Sequence, residues 1–131
     1  MGQENIKILV ADDMAMMRSI VLSVLKKIGY REIVSANNGV DAYEKIRIGN
    51  FNLAIVDWMM PELDGIGLLK KLRRDEELKD LPVLMLTAKS DMDEVKEALE
   101  AGANDYIVKP FTAKVLEEKI DAIFLNKLTN E

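Results

Sequence analysis

Leu53-Ala54-Ile55-Val56-Asp57-Trp58-Met59-Met60-Pro61 is the stretch that decides the fold. Four apolar residues run without a break into an acidic one, and a proline follows four positions later. A short continuous apolar run suits a strand buried on both faces, as in a parallel sheet. Such a strand delivers its last side chain to the carboxyl edge, where open α/β sheets bind their ligands. Asp57 therefore stands where chemistry is expected, although aspartate is also a common turn residue.

Outward from this strand the pattern repeats. Ile6 to Ala11 reads as a first strand that runs into Asp12-Asp13. The helix after it carries Met17, Ile20, Val21, Val24, Leu25 and Ile28 on one face, and Gly29 is placed to end it in a left-handed conformation. Ile33 to Ala36 is a second strand, and Asn37-Asn38-Gly39 a turn. A second helix follows, with Val40, Tyr43 and Ile46 inward and Gly49 as its stop. Beyond the central strand, Pro61 to Gly65 is turn chemistry. The third helix turns Leu68, Leu69 and Leu72 inward and carries Lys70, Lys71, Arg73 and Arg74 on a solvated face. Pro82 to Thr87 is a fourth strand. A fourth helix starts near Asp91, with Val95, Ala98 and Leu99 inward and Gly102 at its end. Tyr106 to Val108 is a fifth strand and leads to Lys109-Pro110. The last helix turns Leu116, Ile120, Ile123 and Phe124 inward, and Asn126 to Glu131 reads as a fraying end.

Five alternations joined by short links imply a parallel sheet with helices on both faces. Right-handed crossovers and the order 2-1-3-4-5 place the switch point between the first and third strands. At 131 residues the chain is one domain, 1–131, with its core at about 6–125. The charged fraction of 31% and apolar fraction of 49% are those of a globular protein. A net charge of −5 argues against a nucleic-acid surface. The absence of cysteine and histidine excludes disulfides, thiolate chemistry and any histidine-based catalysis or relay within the chain. No apolar run is long enough to insert in a membrane. The first residues have neither the basic nor the apolar region of a signal peptide, so a cytoplasmic location is expected.

The polar strand ends form a constellation. Asp12 and Asp13, Asp57, Thr87 and Lys109 all fall at the carboxyl edge of one sheet. Three converging carboxylates repel one another. A hard divalent cation such as Mg²⁺ resolves this, because it takes oxygen ligands and keeps positions for water or phosphoryl oxygens. Asp57 as nucleophile, with a hydroxyl and a fixed cation beside it, describes phosphoryl transfer to a carboxylate. Taken singly, each residue has a plainer reading: a helix cap for Asp12 or Asp13, a strand residue for Thr87, a surface lysine for Lys109.

Together these motifs resemble the response-regulator receiver family. The match runs from Ile6 to about Phe124, through Asp12-Asp13, Asp57, Met60-Pro61, Asp64-Gly65, Thr87-Ala88 and Lys109-Pro110-Phe111. The stretches Asp57-Trp58, Tyr106, Val108 to Ala113 and Leu116 to Lys119 are most similar to the stand-alone chemotaxis members. With no effector domain after residue 131, a stand-alone regulator is expected. The resemblance implies a flavodoxin-like doubly wound five-stranded sheet with five helices. It implies that Asp57 accepts a phosphoryl group from the phosphohistidine of a sensor histidine kinase. Asp12, Asp13, Asp57 and the main-chain carbonyl of Met59 would bind Mg²⁺, with Lys109 and Thr87 holding the phosphoryl group. Thr87 and Tyr106 would be a switch pair that remodels the face of helix four, strand five and helix five. That face would meet a flagellar motor switch protein. The same resemblance implies a cis Lys109-Pro110 bond, a monomer, a phosphatase partner, and no enzyme activity beyond the chain's own phosphorylation and dephosphorylation.

Some positions depart from those relatives. Met59 replaces an asparagine, Lys89 an acidic residue, and Ser90-Asp91-Met92 a lysine-bearing stretch. By the resemblance, positions 59 and 89 flank the water that attacks an aspartyl phosphate, so both are expected to tune its lifetime. Met59 is bulky enough to lie across that approach. Competing readings are a receiver in a relay outside chemotaxis or in kinase regulation, an aspartate-nucleophile phosphatase and a flavin mononucleotide binder. The phosphatase needs a general acid two residues after the nucleophile, where Met59 stands. The flavin site needs a phosphate loop where Asp12-Asp13 stand.

Overall fold

The computed structural model describes residues 5–88 and 92–129, without the side chains of Met92 and of residues 127–129. Its elements are β1 Lys7–Ala11, α1 Ala15–Ile28, β2 Glu32–Ala36, α2 Gly39–Gly49, β3 Leu53–Asp57, α3 Gly65–Arg74, β4 Val83–Thr87, α4 Met92–Glu100, β5 Asp105–Val108 and α5 Ala113–Thr129. The strands pair in parallel in the order β2-β1-β3-β4-β5, the topology expected from the sequence. Among the described residues no helix is long and apolar enough to cross a membrane.

Successive strand residues point to opposite faces, and that rule divides the core. Leu9, Ala11, Ala54, Val56, Val83 and Met85 join Ala42, Ile46, Leu68, Leu69, Leu72 and Ala98, from α2, α3 and α4. Ile8, Val10, Leu53, Ile55, Leu84, Leu86 and Ile107 join Val21 and Leu25 of α1 and Leu116, Ile120 and Ile123 of α5. β3 and β4 are buried along their whole length, so they show no polar residue until the last position.

Local chemistry sets the helix ends. Asn38 and Asp64 cap α2 and α3, accepting from the backbone N–H of Asp41 and Gly67, which would otherwise be unpaired. Gly29 ends α1 with φ 126°. In α2 the left-handed residue is Asn50, with φ 52°, and Gly49 is still helical. Asparagine tolerates that conformation through its short polar side chain.

Several inward assignments need correction. Ile20, Val40 and Leu99 are 44%, 48% and 44% exposed. Each lies on the flank of a stripe whose centre is already filled, by Val21 and Leu25, by Ala42 and Ile46, and by Val95 and Ala98. The chain end also differs, because α5 continues past Asn126 to Thr129. The start of α4 near Asp91 lies outside the described residues.

Arg73 is the largest departure, for it is no member of a solvated face. Its Nε and Nη2 donate to the Gly102 carbonyl at 3.0 and 2.8 Å, and Nη2 also reaches Asn104 Oδ1 at 3.2 Å. Asn104 Oδ1 accepts from the Val83 N–H at 2.9 Å as well. One guanidinium thus ties the end of α3 to the turn between α4 and β5 and to the start of β4. Arg73→Met leaves these oxygens short of donors and should cost about 2 kcal/mol. Arg73→Lys can restore one bond and should cost less. Urea unfolding checks both: the midpoint should fall with an unchanged slope.

Candidate functional site

The strand register builds the site. β1 and β3 are neighbours, with Ala11 opposite Val56, so Asp12 and Asp57 emerge side by side at the carboxyl edge. Asp12 keeps the parity of Ile8 and Val10, Asp57 that of Leu53 and Ile55, and Lys109 that of Ile107. A period of two therefore sends all three toward the α1 and α5 side, where they meet. Lys109 Nζ lies 2.8 Å from Asp57 Oδ1 and 3.5 Å from Asp12 Oδ2. The Lys109-Pro110 peptide that follows is cis.

Asp12 is fully buried and Asp57 is 4% exposed, whereas Asp13 is exposed. Carboxylate oxygens of the three lie within 4.8 Å of one another. Asp12 Oδ1 accepts from the Met14 N–H at 3.0 Å. The N-cap of α1 is Met14, with no side-chain cap bond, so neither aspartate serves as that cap. Arg18 Nη1 donates to the Asp12 carbonyl at 2.7 Å. The sequence reading did not single out Arg18. Its signal was a basic residue six positions after Asp12, in the second turn of the helix the aspartates precede.

Burial pushes the Asp57 carboxyl above its ordinary value; the Lys109 ammonium opposes the shift, and Asp12 and then Asp13 add to it. Asp12 Oδ2 is buried without a hydrogen-bond partner among the described residues, its only close cation being Lys109. Three carboxylates against one ammonium leave negative charge uncompensated in a desolvated place, which is costly. An all-oxygen donor set with an orphaned oxygen fits a hard divalent cation.

Thr87 closes β4 and is buried, and its carbonyl accepts from the Lys109 N–H at 2.7 Å. It has the parity of Val83 and Met85, which belong to the α2, α3 and α4 layer. Tyr106 is the register partner of Met85, and its partly buried side chain packs on the same layer. Lys119 Nζ stands 4.9 Å from the Tyr106 ring centroid and pairs with Asp105 at 3.0 Å. By strand parity Thr87 and Tyr106 therefore lie toward one face of the sheet, next to the edge at which Asp12, Asp57 and Lys109 meet. Met59 follows in the loop after β3. Its side chain is 69% exposed. Lys89, Ser90 and Asp91 lie outside the described residues.

The sequence matches the family described as the response regulator receiver domain over residues 8–121. It is 48% identical over 121 residues to chemotaxis protein CheY-3 of Vibrio cholerae serotype O1, a match covering 92% of this chain and 93% of that protein. Identity is also 48%, over 118 residues, to chemotaxis protein CheY of Pseudomonas aeruginosa, covering 90% of this chain and 95% of that one. Among solved structures, chemotaxis response regulator CheY4 of Vibrio cholerae superposes with a TM-score of 0.84 at 30% identity, covering 90% of this chain and 98% of that one.

The electrostatics make a prediction about stability. A folded-state pKa raised above the ordinary 3.8 means that ionising Asp57 opposes folding. The penalty is complete above the raised value and vanishes below the ordinary one. With divalent cations chelated, Asp57→Asn should therefore raise the melting temperature at neutral pH, and the gain should disappear by about pH 3. Thermal unfolding of both proteins across that range checks it. A lower melting temperature in the variant at neutral pH would place the strain elsewhere.

Proposed function

The chain belongs to the response-regulator receiver family, and from that premise we propose that it is a phospho-accepting regulator of two-component signalling. The observation that carries the reading is Asp57, almost wholly buried at the switch point with the Lys109 ammonium 2.8 Å away and Asp12 and Asp13 beside it. An Asp57 oxygen attacks the phosphorus of a sensor kinase's phosphohistidine in line, the P–N bond breaks, and the imidazole leaves. Lys109, already held between two carboxylates, pairs with phosphoryl oxygens as they arrive, and Thr87 supplies a hydroxyl. The carboxylates of Asp12, Asp13 and Asp57 and the Met59 carbonyl would hold Mg²⁺. When bound, this ion neutralises phosphoryl charge and relieves the repulsion among the carboxylates.

Receivers of this type are signalling proteins and not metabolic enzymes; here the proposed catalysis is confined to the chain's own phosphorylation and dephosphorylation. The output runs through Thr87 and Tyr106, which share a sheet face. As Thr87 moves toward the phosphoryl group, Tyr106 turns further inward, and the α4, β5 and α5 face changes shape. The likeness to chemotaxis proteins supports a flagellar motor switch protein as the target, a sensor histidine kinase as the donor and a phosphatase to end the signal. The chain then works as a single cytoplasmic domain and as a monomer. Lys89 joins Met59 in setting phosphoryl lifetime.

Acetyl phosphate with Mg²⁺ should label the wild type on Asp57, and Asp57→Asn should abolish labelling, since an amide is no anionic nucleophile. Full labelling of that variant would sink the mechanism. Trp58 is the only tryptophan and adjoins Asp57, so its fluorescence should report Mg²⁺; a flat titration would count against the metal site. Pull-downs with labelled and unlabelled protein test the target, and recovery of relay proteins without a motor component would move the output outside chemotaxis. Met59→Asn combined with Lys89→Glu should speed phosphate loss about tenfold, or roughly 1.4 kcal/mol of barrier, because an amide holds attacking water and a thioether does not, and because a carboxylate cannot pair with the phosphoryl group as an ammonium can.

A further inference from the structure

Helix α1 starts at Met14, whose side chain makes no capping bond. Arg18 fixes the entry instead. Its amide makes the opening helical bond, to the Met14 carbonyl at 3.0 Å. Its side chain turns back past that turn, and Nη1 donates to the Asp12 carbonyl at 2.7 Å. Asp12 is thereby held at three points. Its amide donates to the Ala36 carbonyl of β2 at 3.1 Å, its Oδ1 accepts from the Met14 N–H at 3.0 Å, and its carbonyl meets the guanidinium. That carbonyl lies in the plane of the rigid Asp12–Asp13 peptide. Fixing the oxygen therefore fixes the direction in which Asp13 leaves the chain. Arg18 also walls a polar cavity of about 210 Å³, with Ser35, Ala36, Asn37, Asp41 and Lys45. Lys45, the other cation there, is engaged by Asp41 at 3.0 Å and by the Ser35 carbonyl at 2.7 Å, so it is no substitute. Without the guanidinium, water from the cavity can pair the Asp12 carbonyl but does not hold it in one direction. The loss falls on placement more than on stability.

We propose that Arg18 is a positioning residue for the divalent-cation site: it holds the Asp12–Asp13 peptide so that both carboxylates turn toward Asp57. This rests on the metal-dependent phosphoacceptor reading above. Oxygens of the three aspartates lie within 4.8 Å of one another, a convergence that one rotated peptide would spoil. The sign of the effect separates positioning from charge. By charge alone a guanidinium opposes a second cation nearby, so its removal would tighten Mg²⁺. Positioning predicts weaker binding, because two of the three carboxylates lose their aim. Groups that hold metal ligands in place contribute about ten- to a hundredfold in affinity.

The test titrates the whole chain with Mg²⁺ and follows Trp58 fluorescence, well below the unfolding transition. Arg18→Met keeps the aliphatic stem and loses every donor; it should raise the Mg²⁺ midpoint about tenfold. Arg18→Lys keeps one donating group and should raise it only about two- to threefold. Arg73→Met, destabilised at the opposite edge of the sheet, should leave the midpoint where it is. Labelling by acetyl phosphate should follow the same shift, and the Arg18→Met rate should return to the wild-type value once Mg²⁺ saturates. An unchanged or lower midpoint in Arg18→Met would overturn the proposal. So would an equal rise in Arg73→Met, which would make the effect one of general stability. Where Arg18→Met does not fold, the lysine variant carries the test, and a midpoint at or below that of the wild type overturns the proposal. A wild type whose fluorescence and labelling both ignore Mg²⁺ would instead overturn the metal-dependent reading, and the role of Arg18 with it.

Discussion

The ion pair between Lys109 and Asp57, 2.8 Å long and almost without water, is the constraint around which the rest is arranged. A lone carboxylate in that place would be costly, and three in contact more so. The sheet pays the cost by bringing a cation from another strand into the gap. Lys109 comes from the far edge of the sheet, two strands away from Asp57, so the pair exists only when β3, β4 and β5 are all in register. Its completion is also partial: Asp12 Oδ2 keeps no hydrogen bond among the described residues. A site of this kind trades folding stability for an anionic nucleophile kept ready beside a cation.

Most of this was legible in the residues. β3 and β4 announce themselves because a strand covered on both faces has no polar position to spare, and the polar residue that ends each run marks the edge. Parity then places Asp12, Asp57 and Lys109 together without any long-range information. What sequence could not give was decided by packing. Ile20, Val40 and Leu99 satisfy a helical spacing, yet each helix needs only a narrow stripe against the sheet, and spacing alone does not say which edge of a wide stripe stays wet. Arg73 looked like one charge among four on a helix. Its role depends on where the α4–β5 turn passes, and no local pattern encodes that. Arg18 was missed for the same reason, since its partner is a backbone carbonyl and not a side chain with a signature.

The two edges of the sheet divide the work. At the amino edge Arg73 and Asn104 satisfy the Gly102 carbonyl of the α4–β5 turn and the Val83 amide of β4, although Arg73 Nη1 itself keeps no hydrogen bond among the described residues. The carboxyl edge holds the charges, the cis peptide and the exposed methionines. Polar groups are buried at both, and each edge leaves one of them without a hydrogen-bond partner among the described residues: Arg73 Nη1 at the amino edge and Asp12 Oδ2 at the carboxyl edge. Reactivity and rigidity are thereby separated by the length of five residues of strand.

The strand order has a consequence for how the protein is made. Chains are synthesised from the amino end, and domains begin to fold during synthesis. The first strand to emerge, β1, is a central one; it gains β2 first and its second neighbour only when β3 appears. β4 and β5 then add to the growing edge in turn, each finding a finished template. Lys109 arrives with the last of them. A nascent chain that already carries β3 thus holds the aspartates of the pocket while their counter-charge is still unmade. The vectorial order of synthesis leaves that end of the sheet electrostatically unfinished until its final crossover is in place.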